Sequence, residues 1–155
     1  MQRAPNKGHN QRVLSELEPG DLIEFPRGLY SHWAVYVGNE KVVHLTGVDN
    51  GGSSSSKYVF SICGVKFDKA AVRIDNFWDV VADCRAEKNN KGDEKHKPLS
   101  RSEIIDRAKS RLGEVGYNVI FSNCEHFARW CRYGISKSEQ VDDLIVGAER
   151  SLNRW

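Results

Sequence analysis

The sequence lacks a long hydrophobic run. No stretch of its 155 residues approaches the roughly 18 consecutive apolar residues that a membrane-spanning helix needs. The N-terminal segment MQRAPNKGHNQRV has no apolar core, which excludes a secretory signal peptide. These two absences predict a soluble, cytoplasmic chain that contains no transmembrane segment.

An excess of charge of one sign is also missing. The net charge is +2, and the basic side chains are scattered except in the mixed run RAEKNNKGDEKHK at 85–97, which is typical of a solvated loop. This balance does not indicate a nucleic-acid partner, whereas a mildly basic surface suits anionic phospholipid headgroups. The composition, 39% hydrophobic and 28% charged, predicts an ordinary globular protein.

Cysteines are few and are not arranged in a framework. The sequence has four, Cys63, Cys84, Cys124 and Cys131, and no CxxC pair. Because a signal peptide is also missing, we expect reduced thiols rather than disulfides. The cysteines therefore have to be assessed one by one, as reactive or as packing residues.

The order of the predicted elements indicates the fold class. Residues 1–12 are polar and predicted to be flexible, and 13–150 are predicted to form a single domain. Strands are predicted in segments rich in β-branched and aromatic residues: 22–25, 32–38, 41–47, 57–62 and 70–75. Helices are predicted in segments with helical periodicity or capping signals: 99–113, 122–134 and 138–152. Strands followed by helices indicate an α+β fold, with a small antiparallel sheet packed against helices.

The stretch SNCEHFARWCRYG, 122–134, places a cysteine at the start of a predicted helix. With Asn123 or Ser122 as the N-cap, Cys124 falls in the first turn, where unpaired backbone N–H groups and the helix dipole stabilise a thiolate. Cys131 lies seven residues further on, and we expect it to pack as a small hydrophobic residue. Position thus makes Cys124 the candidate nucleophile.

His126 is close to Cys124 in sequence but not in helical geometry. Two residues apart, the side chains point roughly 200° away from each other around the helix, so His126 is a poor base for Cys124. We expect it to pack or cap near the helix start. The same geometry excludes a zinc site built on this pair, and no second ligand pair has suitable spacing. Neither a metal nor a cofactor is predicted.

Two other histidines lie in a predicted hairpin. If its turn has an odd number of residues, such as 38–40, then His44 pairs with Ala34 and His32 lies diagonally across on the same face. A two-residue turn would put the imidazoles on opposite faces. A nucleophilic cysteine needs a base, and that base needs a polar group to fix its tautomer. We assign Cys124 as nucleophile, His32 as base and His44 as orienter, although spacing alone does not decide between the histidines.

Taken together, PGDLIEF, SHWAVYVG, VVHLTG and NCEHF followed by RYG resemble the lecithin:retinol acyltransferase-like family. The sequence looks closest to its phospholipase A/acyltransferase branch, the H-Ras-like suppressor proteins, over roughly 18–147. The resemblance implies a circularly permuted papain-like (NlpC/P60-like) fold of thiol hydrolases. It implies the same roles for Cys124, His32 and His44.

Further roles are implied by the same resemblance. Arg27 and Tyr30 stand just before the HWA strand, where family members also carry an arginine and a tyrosine, and they are expected to help hold a lipid phosphate or the oxyanion. Capping preference and helical geometry, rather than the resemblance, lead us to expect that Asn123 and His126 support the helix that carries Cys124.

The resemblance also implies a reaction. Cys124 attacks an acyl ester of a glycerophospholipid and forms a thioester acyl-enzyme and a lysophospholipid. Water then yields a fatty acid, and an acceptor such as phosphatidylethanolamine or a lysolipid yields an acylated product. The expected setting is a monomer at the cytoplasmic surface of membranes, without nucleic acid.

Two alternatives remain open. The first is a thiol peptidase or amidase, because the same residues can attack an amide. The second is a non-catalytic module of the same fold that binds a membrane or a protein partner.

Overall fold

The structure is a computed structural model that describes residues 4–48, 60–62, 65–67, 69–113 and 123–135. The helices are α1 (Ala4–Glu16), α2 (Phe77–Val81), α3 (Arg101–Ser110) and α4 (Cys124–Tyr133), and a single 3₁₀ turn covers Lys91–Glu94. The strands are β1 (Leu22–Pro26), β2 (Ser31–Gly38), β3 (Lys41–Val48), β4 (Phe60–Ile62), β5 (Val65–Phe67), β6 (Lys69–Asn76) and β7 (Glu87–Lys88).

Five of the strands form one sheet in the order β6-β3-β2-β1-β7, and β4 pairs separately with β5. Among the described strands, every pairing is antiparallel. The α+β class and the antiparallel sheet are therefore confirmed, while the permuted papain-like arrangement and the single domain over 13–150 stay predictions. The sequence missed β5, β7 and α2, and its predicted helix at 138–152 lies outside the described residues.

The β2–β3 hairpin places His32 and His44 on the same face of the sheet, as predicted, but through a different turn. Its turn contains only Asn39 and Glu40, whose φ angles of 53° and 60° are typical of a type I′ turn. That turn length was expected to separate the histidines. A β-bulge between Tyr36 and Gly38 inserts one extra residue, which restores the pairing of Val35 with Val43. Ala34 therefore still lies opposite His44.

The two faces of the sheet bury separate apolar clusters. On one face, strand residues such as Val35, Val43 and Leu45 pack with Phe127 of α4 and Ile104 of α3. On the other, a second cluster joins the sheet to α1 and α2: Ile23, Phe25, Ala34, Val42, Leu14, Leu17, Phe77 and Val81. A fully buried side chain of this size stabilises the fold by about 1.5–3 kcal/mol. The sheet is therefore covered on both faces, which leaves its ends for a site.

The prediction of a flexible segment at 1–12 is wrong for residues 4–12, which belong to α1. Asn10 is fully buried, its Nδ2 donates to the carbonyl of Cys84, and its Oδ1 accepts from the backbone N–H of Ala86. Asn6 donates to the carbonyl of Asp83. Composition does not reveal these partners, because they lie more than 70 residues further along the chain.

Within the described ranges, no helix is both long enough and apolar enough to cross a bilayer.

Candidate active site

The hairpin brings its two histidines into direct contact. His32 Nε2 lies 2.7 Å from His44 Nδ1, and the rings meet edge to face with centroids 4.9 Å apart. Both side chains are buried, with relative exposures of 4% and 6%. They point to the same face because the bulge sets the register of the two strands.

A third residue, which the sequence did not single out, continues this contact. His44 Nε2 lies 2.7 Å from Asp75 Oδ2. Asp75 comes from β6, where Arg73 pairs with His44, so Asp75 stands diagonally across from His44 on the same face. The sequence held no signal for this contact, because no short turn connects β3 to β6. His32, His44 and Asp75 are called the histidine network below.

The electrostatics keep both rings neutral at neutral pH. Burial, and then the nearby charges of His44 and Arg27, lower the pKa of His32 to about 3. Burial also lowers the pKa of His44, although the hydrogen bond and charge of Asp75 act in the opposite direction. A neutral imidazole carries one unprotonated nitrogen, which is what a general base requires.

The first turn of α4 carries Cys124, as predicted. Asn123 is the N-cap, and its side-chain oxygen accepts a 2.8 Å hydrogen bond from the backbone N–H of His126. Gly134 ends the helix in the left-handed conformation with φ 69°. The predicted capping role of Asn123 is thereby confirmed, and His126 is buried near the helix start.

The two parts of the site meet at the start of β2. Cys124 Sγ lies 3.8 Å from the carbonyl oxygen of Ser31, the residue before His32. The histidines share the sheet face of Ala34, which α1 and α2 cover, whereas Cys124 belongs to the cluster on the opposite face. Cys124 therefore approaches His32 around the end of the sheet.

Cys124 is disulfide-bonded in the structure. The expectation of reduced thiols is thus wrong for Cys124, whereas Cys84 and Cys131 are free. Only a thiolate acts as a sulfur nucleophile, so Cys124 has to be reduced before it can attack an ester. Cys131 is fully buried, and burial raises the pKa of its thiol, which fits the predicted packing role.

Arg27 and Tyr30 line different cavities. Arg27 shares a cavity of about 320 Å³ with both histidines, Arg73 and Asp75. Its guanidinium is held by a 2.8 Å hydrogen bond to the carbonyl of Val80. The structure therefore brings Arg27, but not Tyr30, to the histidine network.

Tyr30 lines a second cavity, of about 330 Å³, together with Leu29, Trp33 and Glu125. This cavity borders the α4 residue next to Cys124. In the part of the chain that the structure describes, no cluster of side chains is suited to hold a metal ion.

Comparison with known proteins identifies the family. A family model described as lecithin retinol acyltransferase matches residues 15–137. The chain is 42% identical over 136 residues to Phospholipase A and acyltransferase 3 of Homo sapiens, covering 87% of this chain and 82% of the relative. It is 40% identical over 133 residues to the Mus musculus protein of that name, covering 85% and 80%.

A further relative extends this comparison. Phospholipase A and acyltransferase 1 of Homo sapiens is 42% identical over 134 residues, covering 84% of this chain and 76% of the relative. The residues matched by the family model include the histidine network and the start of α4. The chain therefore belongs to the lecithin retinol acyltransferase family.

Proposed function

We propose that this protein is a cysteine-dependent phospholipase A and acyltransferase that acts on glycerophospholipids. The observation that carries the proposal is the contact of His32 with His44 at the strand end that Cys124 approaches. The relatives named Phospholipase A and acyltransferase 1 and 3 support the same activity. The permuted papain-like fold and the peripheral position at cytoplasmic membranes belong to this proposal.

The first half-reaction forms the acyl-enzyme. After reduction, the Cys124 thiol gives its proton to His32, and the sulfur attacks the carbonyl carbon of the acyl ester. The positive end of the α4 dipole stabilises the thiolate. The carbon–oxygen bond breaks, and His32 returns the proton to the departing oxygen. The products are a Cys124 thioester and a lysophospholipid.

The second half-reaction releases the acyl group. Water, or the amine of an acceptor such as phosphatidylethanolamine, loses a proton to His32 as it attacks the thioester. The carbon–sulfur bond breaks, and the proton returns to Cys124. Water gives a free fatty acid, and an amine gives an N-acyl product.

Arg27 supplies positive charge for the lipid phosphate. Arg27 and Arg73 both line the cavity beside the histidine network, and a guanidinium matches the geometry of phosphate oxygens. We assign Tyr30 to the neighbouring cavity, where it and Leu29 contact the glycerol or acyl part of the lipid.

The test is a labelled phosphatidylcholine assay, run under reducing conditions with and without phosphatidylethanolamine. We expect Cys124→Ala to abolish both fatty-acid release and the acyl adduct that intact-mass spectrometry detects in the parent protein. Cys84→Ser is the matched control, because Cys84 is a free thiol that is only partly buried and lies away from α4. Full activity of Cys124→Ala would overturn the proposal.

Two other outcomes would favour the alternatives. Cleavage of peptides without activity on phospholipids would indicate a peptidase or amidase. A reduced Cys124 that reacts with iodoacetamide no faster than an ordinary thiol of pKa about 8.5 would indicate a binding module.

A further inference from the structure

We propose that Asp75 is a positioning residue that sets the tautomers of both histidines, so that His32 keeps its Nδ1 unprotonated. The observation is the unbroken chain of two 2.7 Å contacts from Asp75 through His44 to His32. The tautomer assignment follows from these two contacts when both rings are neutral and the carboxylate is ionised. Its consequence for catalysis rests on the proposed function, in which His32 is the base for Cys124.

The direction of the hydrogen bonds follows from the donors and acceptors available. An ionised carboxylate can only accept, so the Nε2 of His44 must carry the proton that it shares with Asp75. In a neutral His44, Nδ1 is then unprotonated, and it accepts a hydrogen bond from the Nε2–H of His32. In a neutral His32 whose proton is on Nε2, Nδ1 is likewise unprotonated. These two hydrogen bonds therefore place the basic lone pair of His32 on Nδ1, the ring nitrogen that does not contact His44.

A second contact orients the carboxylate of Asp75. Its other carboxylate oxygen, Oδ1, lies 3.5 Å from Arg73 Nη2. Arg27 adds a second positive charge on the same cavity, and Asp79 is the other carboxylate that lines it. The guanidinium of Arg73 orients the oxygen that His44 does not use.

The same contact predicts what an amide would do at this position. In Asp75→Asn, the side-chain oxygen turns toward the Arg73 guanidinium, because the amide nitrogen cannot accept from it. The amide nitrogen then faces His44 and donates to Nε2. This reverses both hydrogen bonds and moves the proton of His32 to Nδ1, where it blocks the basic lone pair.

The experiment is ¹⁵N NMR of the histidine rings in the reduced full chain at neutral pH. We expect protonated Nε2 and bare Nδ1 for His32 and His44 in the parent protein, and protonated Nδ1 for both in Asp75→Asn. Asp75→Glu, which keeps an acceptor, should retain the parent pattern. The control Asp106→Asn removes the same charge from an exposed position on α3 and should change neither ring. A parent His32 with its proton on Nδ1 would overturn the proposal even if Asp75→Asn fails to fold.

Activity gives the second readout. We expect Asp75→Asn to lower kcat on phosphatidylcholine by a factor on the order of 10²–10⁴ with little change in KM, and Asp75→Glu to recover part of the loss. Full kcat in Asp75→Asn with reversed tautomers would refute the catalytic role. Parent tautomers as described, in a protein with no phospholipid activity, would refute the proposed function while leaving the assignment of Asp75 intact.

Discussion

The histidine network and a second polar network at the other end of α4 differ in the charge that they carry. His32, His44 and Arg132 are buried, whereas Asp93 in the second network is exposed. In the second network, Arg132 donates from Nε and Nη2 to both oxygens of Asp93 at 3.0 and 2.8 Å, and from Nη1 to the carbonyl of Gly20 at 2.8 Å. The Tyr133 hydroxyl donates to Asp93 at 2.7 Å. Arg132, Asp93, Tyr133 and Gly20 are called the arginine network below.

The arginine network keeps its charges by pairing them. The hydrogen bond from Arg132 lowers the pKa of Asp93 and outweighs the opposing effect of burial. The bidentate pair ties α4 to the 3₁₀ turn, and the bond to Gly20 ties both to the chain before β1. This network is suited to hold elements together across a wide range of pH.

The histidine network instead keeps its two rings neutral by burial. It contains one carboxylate and two bases whose pKa values are lowered, so a proton can move onto it during a reaction. The contrast indicates that the paired ion stabilises the fold, whereas the unprotonated buried base is the group to which the proposed function gives a proton. Four changes to the molecule test that division.

Reduction should have the largest effect. Because Cys124 is disulfide-bonded, we expect no fatty-acid release from the oxidised chain and full release after treatment with a thiol-free reductant. Peptide mass spectrometry after alkylation should find Cys124 labelled only in the reduced sample, whereas Cys84 serves as the control that is labelled in both. Equal activity before and after reduction would contradict a role for the Cys124 sulfur.

Breaking the arginine network should cost more stability than any surface pair. Arg132→Met removes three hydrogen bonds of a largely buried guanidinium, whereas its partner Asp93 is 37% exposed and keeps the hydrogen bond from Tyr133. We expect the free energy of unfolding to fall by about 3 kcal/mol. Arg101→Met is the matched control, because its 3.0 Å pair with Glu18 is exposed and should contribute at most about 1 kcal/mol. Urea unfolding measures both, and losses of similar size would contradict the larger contribution of the arginine network.

Acid should weaken the histidine network before the arginine network. Unfolded His32 binds a proton near pH 6.5, but folded His32 does so only near pH 3, so the unfolded state binds more protons between these values. Stability therefore falls as the pH drops below 6.5, by about 3 kcal/mol by pH ~4.5 for this residue. Asp93 loses its contribution only below its ordinary pKa of 3.8.

The matched variant for this pH effect is His32→Asn. We expect it to flatten the dependence of unfolding free energy on pH between about 6.5 and 4.5, measured by urea titration at each pH. An unchanged slope would show that His32 is protonated in the folded protein at these pH values.

A methyl group at Gly92 should give the smallest effect of the four. A Cβ there would lie 2.6 Å from the Tyr133 ring, so Gly92→Ala pushes the 3₁₀ turn away from the arginine network. We expect a loss of about 1–3 kcal/mol in unfolding free energy. In the control Gly8→Ala, on α1, the nearest atom is 3.9 Å away and better helix propensity should stabilise the protein by about 0.5–1 kcal/mol. If the thermal unfolding temperature shifts in the same direction in Gly92→Ala and Gly8→Ala, the close approach of Tyr133 to Gly92 does not limit stability.

Local sequence was enough to predict the elements that carry the candidate site. Asn123 and Gly134 mark the ends of α4, because caps act within a few residues of the backbone groups that they satisfy. The position of His32 and His44 on one face of the sheet was also predictable from local sequence. The bulge that sets this register was not. Strand alternation and a short turn leave few registers for two neighbouring strands.

Contacts between residues that are far apart in the sequence were decided by the tertiary structure. Asp75 reaches His44 only through the β3–β6 register, and Arg132 reaches Asp93 only after α4 has packed on the sheet. The buried Asn10 ties α1, a segment whose composition indicates flexibility, to the backbone of Cys84 and Ala86. Each of these contacts depends on pairing between residues 31 to 76 positions apart, for which no turn or cap sets the geometry. The sequence by itself thus determined where the reactive groups stand on their elements, and packing decided which of them share a proton or a charge.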